Sequence, residues 1–491
     1  MKKSNSIVKN AIFKFSLEIL RIFIPIISVP YIYRIFNPEI MGQIEFSQSI
    51  VGYFFIFAGF GVYTYGLREI SRVRDNKEQR DKLFTELFTI STVSSILVTF
   101  IYLGYVYFKF NFDNLLKNML LINSINLISY VFYIEWINEA FENYKFISQK
   151  TMIVKLLNLA CIFLFIKVSD DYFKYLFLIN VFTLINNLAS FIYIRRYINF
   201  SFNNLEIKKY LFPLGILILV SNINVLYTQL DKIVLGFYGK NIEEVAYYGV
   251  AQKVMSVLMV IVMSIINVTM PRLSYYLGQN QKDEYENLFN RIFPYIYLLL
   301  FPMGIGIIIL SKEICIFFGG KAYLPAQAVV IVFGIRMIIV TVESLLSNHV
   351  IFLNQKEKVM AVILGICGVF NLLLKIGLIY FDIFTASTAI FTTMLAEILI
   401  ITLDYWYIKK YLKLKLEIFK LKNLKYLLIS LIFFPIKYFF SDLNFNIMIN
   451  SILIFIMCSS AYFILLLLIK DRCLFELLEK IDIKKYIFRR K

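Results

Sequence analysis

The stretch Ala11–Ile35, AIFKFSLEILRIFIPIISVPYIYRI, decides the fold. It is too long for the apolar core of a signal peptide and lacks a small-residue cleavage site, so it reads as a first permanent membrane span. Arg21 interrupts it about ten residues in. At roughly 1.5 Å per residue that is about 15 Å deep, the middle of the hydrocarbon. Lys14, Glu18 and Arg21 follow i, i+4, i+7 spacing and share one helix face with Pro25. One stripe of this helix must therefore meet water or protein.

Outward from it, apolar stretches of membrane length recur near 43–65, 85–108, 118–138, 151–168, 173–194, 211–236, 247–269, 291–311, 326–347, 361–380, 386–407, 425–440 and 447–469, fourteen segments in all. Of the 491 residues 59% are hydrophobic and 17% charged, against about 25% charged in a soluble domain, and mean hydropathy is +0.72. A soluble enzyme is excluded. The net charge of +18 points to cytoplasmic loops facing anionic lipid, not to nucleic acid. With the N-terminus inside, the inner segments carry 35 Lys and Arg and the outer ones 7. That asymmetry predicts two cytoplasmic termini and an even number of spans. The outer loops are short and leave no room for an extracytoplasmic domain.

At an offset of 204 residues, Asn37, Glu39, Gln48 and Arg68 land on Asn241, Glu243, Gln252 and Arg272. Six spans separate the copies, so both halves share one orientation, as in parallel-repeat transporters. The expected fold is an all-α integral membrane protein of about 14 transmembrane helices. Residues 1–200 form one six-helix lobe and 201–410 a second, around a central cavity. Residues 411–491 add a C-terminal helix pair and a basic cytoplasmic tail.

Signatures of soluble chemistry fail. Gly319, Gly320 and Lys321 precede Ala322, not the Ser or Thr of a phosphate-cradling loop. His349 is the only histidine, which excludes a zinc cluster or a histidine-based triad and reads as structural. Asp170 and Asp171 read as a solvated loop. Five scattered cysteines imply neither a disulfide framework nor a metal site. No catalytic residue, metal or cofactor is expected beyond a coupling proton or sodium ion.

What is left is charge inside the spans, expensive by about 2.5–3.5 kcal/mol per residue and by default the mark of a pathway. Arg21 and Arg336 lie at central depth. Glu343 shares a face with Arg336, Glu397 and Asp404 repeat that seven-residue spacing, and Asp231, Lys232, Lys253 and Lys375 lie nearer the outer side. Ion pairing between helices is the bland alternative for each, Lys14, Lys155 and Arg34 are close enough to an interface to snorkel, and the functional weight rests on Arg21 and Arg336. Central cations suit an anionic substrate, because a buried phosphate needs charge-assisted partners, and a diphosphate headgroup is the attractive candidate.

Several stretches resemble the polysaccharide transporter family, the Wzx-type flippases of the superfamily that also holds MurJ-type lipid flippases and MATE drug exporters. They are Phe36–Ile50 (FNPEIMGQIEFSQSI), Phe60–Asp75 (FGVYTYGLREISRVRD) and Gln229–Val254, with LDKIVLGFYG and YYGVAQKV. Met270–Leu273 and the FFGGKAYLPA run from Phe317 add weaker matches. The resemblance implies alternating access and translocation of undecaprenyl-diphosphate-linked oligosaccharide, as in O-antigen and lipopolysaccharide assembly, across the bacterial inner membrane. It makes Arg21, Arg336, Lys232, Lys253 and Lys375 substrate-binding candidates, and Glu18, Asp231, Glu343 and Glu397 coupling or charge-balancing ones. Arg68, Arg72, Glu142 and Arg272 become candidates for a cytoplasmic gate. Implied partners are the lipid-linked glycan, membrane lipids and, as candidates, polysaccharide-assembly proteins. The rivals are a MATE-like ion-coupled multidrug exporter and a membrane glycan polymerase or ligase.

Overall fold

The structure is a computed structural model that describes residues 19, 20, 22–418, 420–440 and 447–481. All its regular elements are helical. In chain order they are α1 (Ile22–Ile35), α2 (Pro38–Ala58), α3 (Val62–Val73), α4 (Lys77–Lys109), α5 (Asn114–Ser129), α6 (Glu135–Ala140), α7 (Tyr144–Phe165), α8 (Tyr172–Ile194) and α9 (Lys208–Tyr238). There follow α10 (Glu243–Gly278), α11 (Lys282–Ile309), α12 (Ser311–Gly319), α13 (Gln327–Leu346), α14 (Glu357–Tyr380), α15 (Ala386–Tyr407), α16 (Leu424–Ser430), α17 (Phe433–Phe440), α18 (Ile447–Leu468) and α19 (Arg472–Ile481). Among the described residues twelve helical stretches are long and apolar enough to cross a membrane. The other two of the fourteen expected segments fall on α1 and on the 31-residue α9.

Local chemistry sets the boundaries. The Asn37 side chain accepts the Ile40 N–H at 2.8 Å, Pro38 opens α2, and Glu39 sits in its positive first turn. Asn76 and Asp113 cap α4 and α5 in the same way. The segment expected as one span over 43–65 is broken after Ala58, where Phe60 and Gly61 take φ of 44° and 70°. Gly61 tolerates that left-handed turn without a Cβ clash, and α3 starts directly after it. α13 runs on into a π-helical turn over Ser347–Phe352.

Exposed apolar stripes mark the faces that suit lipid. On α14, Val362, Ile366, Val369, Leu373 and Ile376 are exposed at spacings of four and three. α18 buries Asn450, Ile454, Cys458, Tyr462 and Leu466 on one face and exposes Ile452, Phe455 and Ile456 on others. Lipid tails are as apolar as these side chains, so close packing and interhelical hydrogen bonds hold the helices together.

The chain forms two compact units. The first runs to Gly249 and includes Leu374–Ala389; the second holds Val250–Leu373 and the chain from Ile390. In the first, Trp136 of α6 packs with Val62, Ile70, Phe84, Leu87 and Leu214 from α3, α4 and α9. Gly66 permits this contact, since a Cβ there would lie 2.5 Å from the indole. The 195–207 linker and the start of α9 are tied to α4: Glu86 accepts the Tyr210 hydroxyl and the Glu206 N–H, and Thr85 Oγ1 accepts the Ser201 N–H. In the second unit α11 and α13 approach through Gly304 and Gly334, where a Cβ on either would lie 3.0 Å from the other's carbonyl oxygen.

Candidate functional site

Inside the first unit, three ion pairs among the described residues join different helices. Lys232 of α9 meets Glu45 of α2 at 2.8 Å, and Tyr33 of α1 donates to the other Glu45 oxygen at 2.9 Å. Next to it in sequence, Asp231 meets Lys375 of α14 at 2.6 Å and accepts the Tyr248 hydroxyl of α10 at 2.8 Å. Consecutive residues on a helix diverge by about 100°. Asp231 and Lys232 therefore clamp α9 to α14 on one side and to α2 on another. The third pair joins Lys150 of α7 to Glu135 of α6 at 3.1 Å, and Ser190 of α8 bonds both partners. Between these pairs runs a polar ladder, Asn180 to Asn123 at 2.9 Å and Asn123 to Ser47 at 3.0 Å, linking α8, α5 and α2.

The second unit carries its own cluster. Arg336 of α13 grips Glu397 of α15 with Nε at 3.0 Å and Nη2 at 2.6 Å, a planar fork on a carboxylate. About three turns on, at the start of the π-helical turn that follows α13, Ser347 lies between Glu343 at 3.2 Å and Asp404 at 2.5 Å. A hydroxyl has one proton, so it satisfies one of these carboxylates at a time. Asp404 Oδ1 is buried with no hydrogen-bond partner among the described residues. Arg336, Glu343, Glu397 and Asp404 are all buried. One carboxylate thus holds the guanidinium, and two more share the Ser347 hydroxyl further along.

The predicted residues divide as follows. Glu18 and Arg21 lie outside the described residues, as does Lys14. Asp231 and Lys375 come together, Lys232 pairs with Glu45, and Arg336 with Glu397. Lys253 is half-buried on α10 in the second unit. On the first unit, Arg68 and Arg72 share Glu69, and Glu142 pairs with Arg74 at 3.3 Å. Arg272 donates to Tyr276 at 3.2 Å on the second. Glu45, Glu135 and Lys150 escaped the sequence reading because each lies near a segment end, where an ionisable side chain looks interfacial. A carboxylate seven residues inside α2 was the available signal for Glu45. Among the described residues no group of three or more His, Cys, Asp or Glu is placed to hold a metal ion, and all five cysteines are free thiols.

The sequence profile described as "Polysaccharide biosynthesis protein" matches residues 7–277, and the profile described as "MatE" matches residues 217–376. No curated protein matches the chain. Among solved structures the chain is similar to the lipid II flippase MurJ in an inward closed conformation. The identity is 18% and the TM-score 0.68, over 94% of this chain and all of that one. It is also similar to an inward-facing multidrug resistance MATE family transporter, at 11% identity and TM-score 0.61 over 82% and 99% of the two chains. The Vibrio cholerae MATE transporter VcmN matches at 14% identity and TM-score 0.55, over 83% and 98%. At these identities the likeness fixes the fold.

Proposed function

The chain belongs to the polysaccharide biosynthesis protein family, and on that premise we propose that it is a flippase for undecaprenyl-diphosphate-linked oligosaccharide. It carries the repeat unit across the bacterial inner membrane by alternating access, with both termini cytoplasmic. Residues 1–200 and 201–410 act as the two repeated halves and 411–491 as the C-terminal addition.

The observation that supports this reading is the set of ion pairs made between helices inside the spans: Lys232 with Glu45, Lys375 with Asp231, Arg336 with Glu397. Each joins two separate helices, so each can open when the helices shift. A diphosphate offers the freed cation a stronger acceptor than the carboxylate it leaves, while the released carboxylate takes up a proton or cation. Substrate binding and charge compensation are then one exchange. Glu343, Glu397 and Asp231 are the groups proposed to carry a coupling proton or sodium ion, and Arg21 joins Arg336 as a diphosphate contact.

A second reading, an ion-coupled exporter of cationic drugs, is favoured by one observation, the excess of buried carboxylates over cations among Arg336, Glu343, Glu397 and Asp404. Proteoliposomes distinguish the two. The flippase reading expects protein-dependent movement of a polyprenyl-diphosphate oligosaccharide between leaflets and no transport of a lipophilic cation. Cation transport without lipid movement would replace it with the exporter.

A further inference from the structure

A cavity of about 500 Å³ opens on the second unit between α11, the stretch ahead of α16 and α19. The asymmetry of Lys and Arg along the chain puts the start of α11, the start of α16 and the end of α18 all at the cytoplasmic face. The cavity therefore lies at the depth of lipid headgroups. Arg291, Lys422, Lys425 and Arg472 line it, against Glu417 and Glu476.

Both carboxylates are already engaged. Glu417 pairs with Lys420, outside the cavity lining. Glu476 accepts Arg472 Nε at 2.8 Å, Arg291 Nη2 at 3.0 Å and the Tyr295 hydroxyl. A guanidinium has five N–H donors, so each arginine keeps most of its donors for another acceptor. Lys425 is held at the wall by Asp471, and Lys422 is exposed in the cavity lining. Arg472 is 85% exposed while its Nε holds Glu476, so its remaining donors face open solvent. α19 follows the last span directly, with Leu474 buried and Phe475 and Leu478 exposed, the pattern of a helix lying in the interface.

We propose that this cavity is a binding site for the phosphate headgroup of an anionic membrane phospholipid, with Arg472, Arg291 and Lys422 as the cations that meet it. Excess positive charge, unspent planar donors and an adjoining apolar helix provide for the phosphate and for the start of the acyl chains. The site is separate from the buried pairs in the spans and holds whether or not the chain flips a glycan.

Native mass spectrometry of the full chain tests it, with phosphatidylglycerol, phosphatidylcholine and inorganic phosphate as probes. The wild type is expected to retain phosphatidylglycerol in preference to phosphatidylcholine. Lys422→Gln/Arg472→Gln should weaken that retention roughly thirtyfold, about fivefold for each cation removed. Lys422→Arg/Arg472→Lys, which keeps the charge, should restore it, and Lys409→Gln/Lys410→Gln on the same face should leave it intact. Equal retention of both lipids, or an unchanged Lys422→Gln/Arg472→Gln variant, overturns the proposal. So does inorganic phosphate binding as tightly as the lipid, which would make the cavity a site for soluble anions.

Discussion

The Lys375 ammonium lies 2.6 Å from the Asp231 carboxylate, and neither side chain has exposed surface. Taking two charges out of water costs several kcal/mol each, and only their mutual attraction offsets it. Removing one partner leaves the other's charge buried without its ion-pair partner. Lys375→Met alone should therefore lower stability by about 3–5 kcal/mol, and Lys375→Met/Asp231→Leu by clearly less than the two single changes together. A thermal-unfolding cycle in detergent checks this. Additive, small effects would mean the pair does not hold α9 to α14.

Gly66 touches the indole of Trp136 closely enough that a methyl group has no room, 2.5 Å from its nearest ring atom. Gly66→Ala should destabilise the first unit by about 1–3 kcal/mol through overpacking. The chain has two tryptophans, so a Trp406→Phe background leaves Trp136 as the sole emitter. The Gly66→Ala variant should show a shifted emission maximum and a lower melting temperature. An unchanged spectrum and melting point would contradict the contact.

Glu476, on α19 outside the spans, is held down to about 2 from its ordinary 4.5 by the Tyr295 hydroxyl first and then by Arg472 and Arg291. A depressed carboxyl favours the folded arrangement above pH 4.5, and that contribution disappears as pH falls through 2. Protection of Arg472–Ile481 against hydrogen exchange, corrected for intrinsic rates, should decline between pH 5 and pH 2.5. Glu476→Gln should show low protection at both ends with no decline. Equal pH dependence in wild type and variant would remove Glu476 as the anchor of α19.

Fold class was legible in the sequence because hydrocarbon is a simple solvent: long apolar runs leave helices as the way to satisfy the backbone. The expected segments fall on the observed helices. Boundaries were less legible where one residue redirects the chain, as at Phe60–Gly61, because a left-handed turn inside an apolar run leaves hydropathy unchanged. Charges inside the spans, such as Arg336 and Lys375, stood out by cost alone. Their partners did not, since the contact between Lys232 and Glu45 spans 187 residues and depends on how α2 crosses α9. The seven-residue repeats of Arg336 with Glu343 and Glu397 with Asp404 hinted at two facing stripes, but spacing along a helix carries no information about which neighbour it faces.

The most direct test of the exchange between carboxylate and diphosphate is the rate at which proteoliposomes flip a polyprenyl-diphosphate oligosaccharide. It compares wild type, Arg336→Met and Arg336→Met/Glu397→Met, the last removing cation and carboxylate together so that neither member of the pair is left buried without the other. Both variants should insert, the double variant with near-wild-type stability, and both should flip at about a tenth of the wild-type rate or less, as the loss of a charge-assisted bond requires. A double variant that inserts and flips at the wild-type rate would contradict the account.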